Sequence, residues 1–421
     1  MEEIKVNTIA VTGKDDDSFV GIRINNKEIY FYYPETYSIS DKENLKNFRD
    51  DVLSILKSIN IAKSLSIDKD KIESSLSDNE QLALLSYLWI INDYLCNGFY
   101  INREKEFKLN QRGKINWKRT MKNQPIVSEG NVIYNNVVVE TRNNMDNLLV
   151  DIHKYCVKES IRIIGWLFNL DSSRIETKPF NSTIKKIYIN VLRNEIDKTF
   201  DDYKKLRLNH MLKVIKGLDG NASNSEFVYG VDSYHYVYER MIDSIFGNQK
   251  NMKEFNPKAN WYLSMNSFKK QKSSELRPDT VLIKDEIAYI LDSKYYRFGF
   301  TGNSNDLPET TSIQKQITYG EYLKQNFKIN VKDIRSAFIL PYNRNDNPFK
   351  ADELIHYIGF SMAEWKDNSS NKYEAIYAFL VDTKHVIKYW NKHNHVEEIN
   401  LLVSLIEDAI VHKEKLPKEQ L

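Results

Sequence analysis

The stretch Leu276-Arg-Pro-Asp-Thr-Val-Leu-Ile-Lys-Asp-Glu-Ile-Ala-Tyr-Ile-Leu-Asp-Ser-Lys294 limits what this chain can fold into more than any other. Two runs of β-branched and aliphatic residues flank Lys284-Asp285-Glu286, so the spacing predicts a β-hairpin with those polar residues at its turn. A hairpin folds back on itself, and Asp279 at the opening of the first strand then lies beside Asp292 at the close of the second. Side chains alternate along a strand, so Asp292 and Lys294 share a face, while Ser293 points away and still offers its backbone carbonyl. An isolated Asp-Xaa-Lys is commonplace, and a charged strand end is ordinarily a solvated edge. Here an apolar run, Ile287, Ala288, Ile290 and Leu291, abruptly delivers two opposite charges beside a second carboxylate. Burying such groups without a partner is costly, which marks them as a candidate site.

Two carboxylates and a carbonyl are hard oxygen donors. Such a set suits Mg²⁺, which keeps several waters and binds through one or two carboxylates together with substrate phosphate oxygens. Asp279, Asp292 and the Ser293 carbonyl are the expected metal-holding groups, with Lys294 placed to hold or help deprotonate an attacking water. Around this motif the periodicities predict a helix over 233–246, strands at 261–265, 280–283 and 287–293, and a helix over 313–325. Strands follow at 336–340 and near 355–360 and 373–381. That order is an α/β pattern with a mixed central sheet.

The first half reads differently. A hairpin is expected over 18–33 about Asn25-Asn26, ended by Pro34, then a helix over 45–66. The apolar face of that helix is Leu45, Phe48, Val52, Leu53, Leu56, Ile59, Ala62 and Leu65. A helix over 81–94, short β-pieces including 131–140, and helices over 145–168 and 182–215 complete it. The turn-rich segment 216–225 places a boundary between a domain over 1–220 and one over 221–421. A chain of 421 residues with 41% hydrophobic content supports two such cores.

Lysine and arginine total 60 against 58 acidic residues, so any polyanion must be met by local patches. One runs from Arg103 to Lys122, where Arg103, Lys105, Lys108, Arg112, Lys114, Lys118, Arg119 and Lys122 face only Glu104 and Glu106. Trp117 within it either stacks on a base or packs its own domain, the second being the commoner fate of large aromatics. A smaller basic rim, Lys269, Lys270, Lys272 and Arg277 against Glu275, adjoins Asp279 and makes these residues candidates for DNA contact. Cys96 and Cys156 read as buried small hydrophobes in a reducing cytoplasm, and His393-Asn-His395 as surface histidines. The start lacks a signal peptide and no run reaches the ~20 apolar residues of a membrane span, so a cytoplasmic protein without membrane contact is expected.

Pro278-Asp279 followed by Asp292-Ser293-Lys294 resembles the PD-(D/E)xK nuclease superfamily, whose core is a helix, three strands, a helix and a strand. Members often carry a glutamate on the helix before the hairpin. Glu239 in Tyr234-His-Tyr-Val-Tyr-Glu-Arg-Met-Ile-Asp-Ser-Ile-Phe246 is the matching residue, either in the metal's outer surroundings or as an i,i+4 surface partner. Some branches carry a glutamine and a tyrosine on the following helix, which Gln316 and Tyr319 resemble. The commoner four-residue step would select Gly320 instead of Tyr319.

Gly113-Lys-Ile-Asn-Trp-Lys-Arg-Thr120, trailed by Pro125-Ile126 and Ile133-Tyr134, is similar to the N-terminal half of the LlaJI and McrC restriction endonucleases. Phe19-Val-Gly21 with Tyr33-Pro34 is similar to their opening hairpin. The resemblance implies an N-terminal mixed β/α domain followed by a restriction-endonuclease-like domain, its mixed sheet flanked by helices. It also implies a Mg²⁺-dependent, DNA-cleaving subunit that works on double-stranded DNA with a hexameric McrB-like GTPase. No Gly-Xaa4-Gly-Lys-Ser/Thr loop occurs here, so nucleotide chemistry would sit on another chain. One site cuts one strand, so a double-strand break calls for transient pairing of two nuclease domains. The rivals are a stand-alone nuclease of the same fold and a non-catalytic adaptor that stimulates a motor.

Overall fold

The computed structural model describes residues 5–13, 17–25, 28–65, 78–100, 104–110, 112–128, 131–143, 148–217, 227–249, 251–326, 331–366 and 371–415. The expected boundary at 216–225 lies almost wholly outside them, as does part of the Asn25-Asn26 turn. The chain divides into two compact units that are not consecutive in sequence. One is built mainly from Ser77–Phe227; the other gathers Lys5–Arg23, Glu28–Leu76 and Val228–Leu421. Much of the first seventy residues, expected in the N-terminal domain, thus packs with the C-terminal part. Mixed helix and sheet are present throughout, as the sequence predicts.

In chain order the elements begin with β1 (Lys5–Val11), β2 (Val20–Asn25), β3 (Glu28–Pro34) and α1 (Leu45–Leu65). The Ser77–Phe227 unit contains α2 (Asp78–Asn97), β4 (Glu104–Leu109), β5 (Lys114–Ile115), α3 (Trp117–Thr120), β6 (Ile126–Ser128) and β7 (Asn131–Ile133). It continues with β8 (Val138–Asn143), α4 (Leu148–Ile164), α5 (Ser182–Lys198) and α6 (Asp202–Gly217). Its helices are tied by Asp93 on α2, whose carboxylate accepts two bonds from the Arg207 guanidinium of α6 at 2.6 and 2.8 Å. Such a planar fork resists rotation of one helix about the other.

The second unit adds β9 (Phe227–Val231), α7 (Tyr234–Phe246), β10 (Lys258–Tyr262), β11 (Lys270–Glu275), β12 (Thr280–Lys284) and β13 (Ile287–Ser293). It closes with α8 (Phe298–Thr301), α9 (Thr310–Gln325), β14 (Asp333–Tyr342), β15 (Ile355–Met362), β16 (Ala375–Asp382), α10 (Thr383–Tyr389) and α11 (Val396–Glu414). Among the described residues its central sheet has the order β12-β13-β14-β16-β15. The β13, β14 and β16 strands run parallel, and β12 and β15 are antiparallel edges. The parallel strands are covered on both sides, so β14 is buried from Ile334 onward and apolar from Ala337 to Pro341. One expectation is corrected here. The strand foreseen at 261–265 is not part of this sheet but pairs as β10 with β11 in a separate two-stranded ribbon.

A smaller sheet has the order β1-β3-β2-β9, so the expected hairpin of β2 and β3 is flanked by β1 on one side and by β9, from residue 227 onward, on the other. Gly21 and Gly230 permit the closest approach: a Cβ on Gly21 would lie 2.2 Å from the Tyr229 carbonyl oxygen, and one on Gly230 2.3 Å from that of Val20. Helix α1 buries Phe48, Val52, Leu56, Ile59 and Ala62 as predicted, with Ile55 joining them and Leu45 left exposed. Its Asp51 is fully buried and meets Lys384 Nζ at 2.9 Å and Lys388 Nζ at 2.8 Å, both on α10.

Candidate active site

The hairpin forms in the register the sequence implies, from Thr280 opposite Leu291 to Lys284 opposite Ile287. Its turn is two residues, Asp285 and Glu286, with φ of 51° and 61°; two left-handed residues in succession match the twist of the flanking strands. At the far end the Ser293 amide donates to Asp279 Oδ2 at 2.9 Å, which places that carboxylate beside the end of β13. N–H and C=O of one strand residue point the same way, so the Ser293 carbonyl lies on the Asp279 side of the strand. Lys294 N still donates to Ile339 O at 2.9 Å, but Pro341 further along β14 has no N–H to return, and the Lys294 carbonyl accepts from Tyr296 N instead. The strand ends where its charges begin.

Asp292 Oδ2 and Lys294 Nζ are 2.6 Å apart on one face, with side chains 10% and 16% exposed. Asp279, Asp292 and Lys294 therefore meet at the carboxyl end of the central strands. Burial, then the neighbouring charges of Asp292 and Glu239, raises the Asp279 carboxyl well above the ordinary carboxylate range; Lys294 and the Ser293 amide oppose this without reversing it. Burial works to lower the Lys294 ammonium, and the Asp292 carboxylate overcomes it, holding the amine above the usual lysine value. A carboxyl discouraged from ionising by burial and by other carboxylates is one that an added cation would bring back.

Glu239 is half-buried on α7, near enough for its charge to act on Asp279. Asp243, one turn further, was not singled out from the sequence. Burial raises its carboxyl, Arg240 lies 3.6 Å away, and the charge of Arg277 also reaches it. The signal that could have found it is the acidic pair Glu239 and Asp243 at helical i,i+4 spacing. On α9, Tyr319 donates to the Arg277 carbonyl at 2.9 Å and so fastens the segment leading into Pro278-Asp279. Gly320 faces elsewhere, where a Cβ would meet the Tyr373 ring at 2.3 Å. Gln316 shares the Tyr319 face, is fully buried, and neither its Oε1 nor its Nε2 has a partner among the described residues. Ser293 Oγ is likewise buried without one.

Among the described residues no group of three or more His, Cys, Asp or Glu side chains is gathered closely enough to form a ready metal cage. The donors present still fit Mg²⁺, which needs only one or two carboxylates and keeps its waters. The Asp279 carboxyl, raised by burial, and the buried Gln316 amide, without a partner among the described residues, are the polar groups whose chemistry such an ion would fit.

The basic residues are dispersed. Lys269 and Lys270 are exposed on the β10–β11 ribbon, Arg277 is exposed between the ribbon and Asp279, and the side chain of Lys272 lies outside the described residues. Lys114, Lys118 and Arg119 are exposed in the other unit, where the Arg119 guanidinium sits 3.6 Å from the centre of the Phe107 ring. Three expectations fail. Trp117 is not core but 56% exposed, at the first position of the four-residue helix α3. Cys96 is exposed, near the end of α2. His395 is buried, its Nε2 3.1 Å from the Trp390 carbonyl at the start of α11. Cys156 is buried as expected, and among the described residues no helix is long and apolar enough to cross a membrane.

No curated protein matches the chain in sequence. Among solved structures, it is similar to a refined half-complex from a tetradecameric assembly of Thermococcus gammatolerans McrB AAA+ hexamers with bound McrC. That match has 14% identity and a TM-score of 0.40, covering 92% of this chain and 83% of that one. A second similarity is to the Thermococcus gammatolerans McrBC complex, with 16% identity and a TM-score of 0.26, covering 53% and 64%. Both likenesses are too distant to carry residues or roles across. The family model for the LlaJI restriction endonuclease matches residues 19–384, which takes in the N-terminal hairpin, the Gly113–Trp117 string and the whole Asp279, Asp292 and Lys294 cluster. By that match, over most of its length, the chain belongs to the LlaJI restriction endonuclease family.

Proposed function

We propose that this protein is the DNA-cleaving subunit of an McrBC-like restriction system, hydrolysing phosphodiester bonds of double-stranded DNA with Mg²⁺ and acting with a hexameric McrB-like GTPase. The observation that carries the reading is the convergence of Asp279, Asp292 and Lys294 at one sheet end, with Asp279 held in a state that a cation would relieve. Asp279, Asp292 and the Ser293 carbonyl are the groups that would hold the ion. When bound, Mg²⁺ supplies positive charge to the scissile phosphate and to its attacking water.

The chain's own residues account for the remaining tasks. The Ser293 amide orients Asp279, and Asp292 anchors the Lys294 ammonium. Lys294 positions the water and stabilises developing negative charge, and Tyr319 fixes the backbone entering Asp279. Glu239 and Gln316 extend the site from the two flanking helices. For the partner, support comes from the Gly113-Lys-Ile-Asn-Trp117 string and the lack of a phosphate-binding glycine loop in these residues. We assign partner and further DNA contacts to residues 1–220, with Lys114, Lys118 and Arg119 as their basic surface, and the chemistry to 221–421. Cutting both strands requires two such domains to pair transiently.

The test is plasmid cleavage by the full chain with Mg²⁺, GTP and the GTPase. Asp292→Ala or Lys294→Ala should slow cutting by about 10²-fold or more, and cutting at the wild-type rate by either would remove the site. Cutting by the chain without nucleotide would replace the motor-dependent reading with a stand-alone nuclease. Stimulated GTP hydrolysis with no divalent binding to the chain would leave an adaptor.

A further inference from the structure

The β10–β11 ribbon is the element the site does not yet explain. Every residue of β10 is exposed, and the ribbon carries Trp261, Tyr262, Met265 and Phe268 at 57% to 83% exposure. Large apolar side chains left exposed so close together in one short ribbon point to an interaction site. At its tip Ser267 and Phe268 both have left-handed backbones, φ 54° and 55°. Holding an aromatic residue there is costly, and at 66% exposure Phe268 gains little from packing within the chain.

Two further facts indicate what covers it. From Lys258 to Arg277 the sequence has five basic residues, Lys258, Lys269, Lys270, Lys272 and Arg277, against Glu275 alone. The base of the ribbon is also fixed to the candidate active site. Leu276 N donates to Pro257 O at 3.0 Å, Tyr319 holds the Arg277 carbonyl, and Asp279 follows two residues later. The five residues of β10 reach roughly 17 Å, and a two-stranded ribbon fits a DNA groove. Basic flanks with a methionine and a phenylalanine at the tip match the chemistry of side chains that wedge into a base step.

We propose that this ribbon is a DNA wedge: Lys269 and Lys270 take phosphates while Met265 and Phe268 insert at a base step of duplex DNA beside the site at Asp279 and Asp292. The proposal rests on the nuclease reading and adds how substrate is gripped and distorted there. A kink there unstacks the adjoining bases and turns the scissile phosphate toward the sheet end.

The experiment uses the full chain with Ca²⁺ in place of Mg²⁺ and duplexes carrying 2-aminopurine, whose fluorescence rises when a base unstacks. Wild type should bind and raise the signal. The double variant Met265→Ala/Phe268→Ala should lose the rise and bind roughly 10-fold or more weakly. Lys269→Ala/Lys270→Ala should lower the slope of log affinity against log salt by about two. All four positions are exposed, so an unchanged thermal unfolding curve certifies each fold. If the tip variant binds and unstacks DNA like wild type, or wild type itself gives no rise, the wedge is wrong whatever Asp292→Ala does to cleavage. If the tip variant instead changes only the sedimentation of the chain, the ribbon joins two copies and the wedge is equally wrong. Loss of the signal in the tip variant alongside full cleavage by Asp292→Ala would sink the active-site reading and leave the wedge standing.

Discussion

Asp51 and Asp279 are carboxylates within the same compact unit, and their surroundings push them in opposite directions. Burial by itself would raise Asp51, but bonds from Lys388, Ser40 and Lys384 overcome it and hold the carboxyl down at about 2. Tyr37 Oη donates to it as well, at 2.9 Å. Asp279 has one backbone amide and a shared lysine against the charges of Asp292 and Glu239, and stays raised. A fully partnered buried charge is structural, locking α1 to α10. An under-partnered one keeps coordination free for something the chain does not itself supply.

The largest expected effect tests the first half of that contrast. Asp51→Ala strands two lysines and a tyrosine hydroxyl, and should cost about 3–5 kcal/mol of stability, the lower end applying because the lysines are about a quarter exposed. Denaturant unfolding measures it, and a loss under 1 kcal/mol would remove Asp51 as an anchor. Asp279→Asn should do the reverse, raising the unfolding temperature of the metal-free chain while abolishing the rise that added Mg²⁺ or Mn²⁺ gives the wild type. If the variant is less stable, or still responds to metal, the contrast is broken.

The pH response sharpens it. The Asp51 carboxyl is depressed when folded, so its contribution is complete above the unfolded value near 3.8 and disappears as pH falls toward about 2. Wild type should therefore lose stability more steeply than Asp51→Asn across that interval. For Asp279, raised when folded, the folded chain holds a proton the unfolded chain has released, so stability without metal falls as pH climbs above the ordinary carboxylate range. Asp279→Asn should flatten that fall. Smallest is Gln316→Leu: replacing a buried amide without partners should alter stability by less than about 1 kcal/mol, in either direction, while slowing cleavage.

Much of the second half of the chain was legible because its signals are local. Alternation in 280–293 gave the hairpin and the meeting of Asp279 with Asp292, and i,i+3 spacing put Gln316 and Tyr319 on one helix face. The ribbon was half-seen: Trp261 reads as strand, but Lys270–Glu275 is too polar and serine-rich to announce itself as the partner. Trp117 and Cys96 misled because burial statistics describe residue types on average, not the side of an element that meets the core.

By itself the sequence determined the hairpins over 18–33 and 280–293, and with the second the three charged groups at the strand ends, because turns and periodicity act over short stretches of chain. Only the tertiary structure decided that β1, β2 and β3 form a sheet with β9 some two hundred residues later, that Asp51 is neutralised by Lys384 and Lys388, and that Asp279 is left short of partners. The cost of burying a charge depends on every group that surrounds it, and those groups arrive from parts of the chain that no local pattern links.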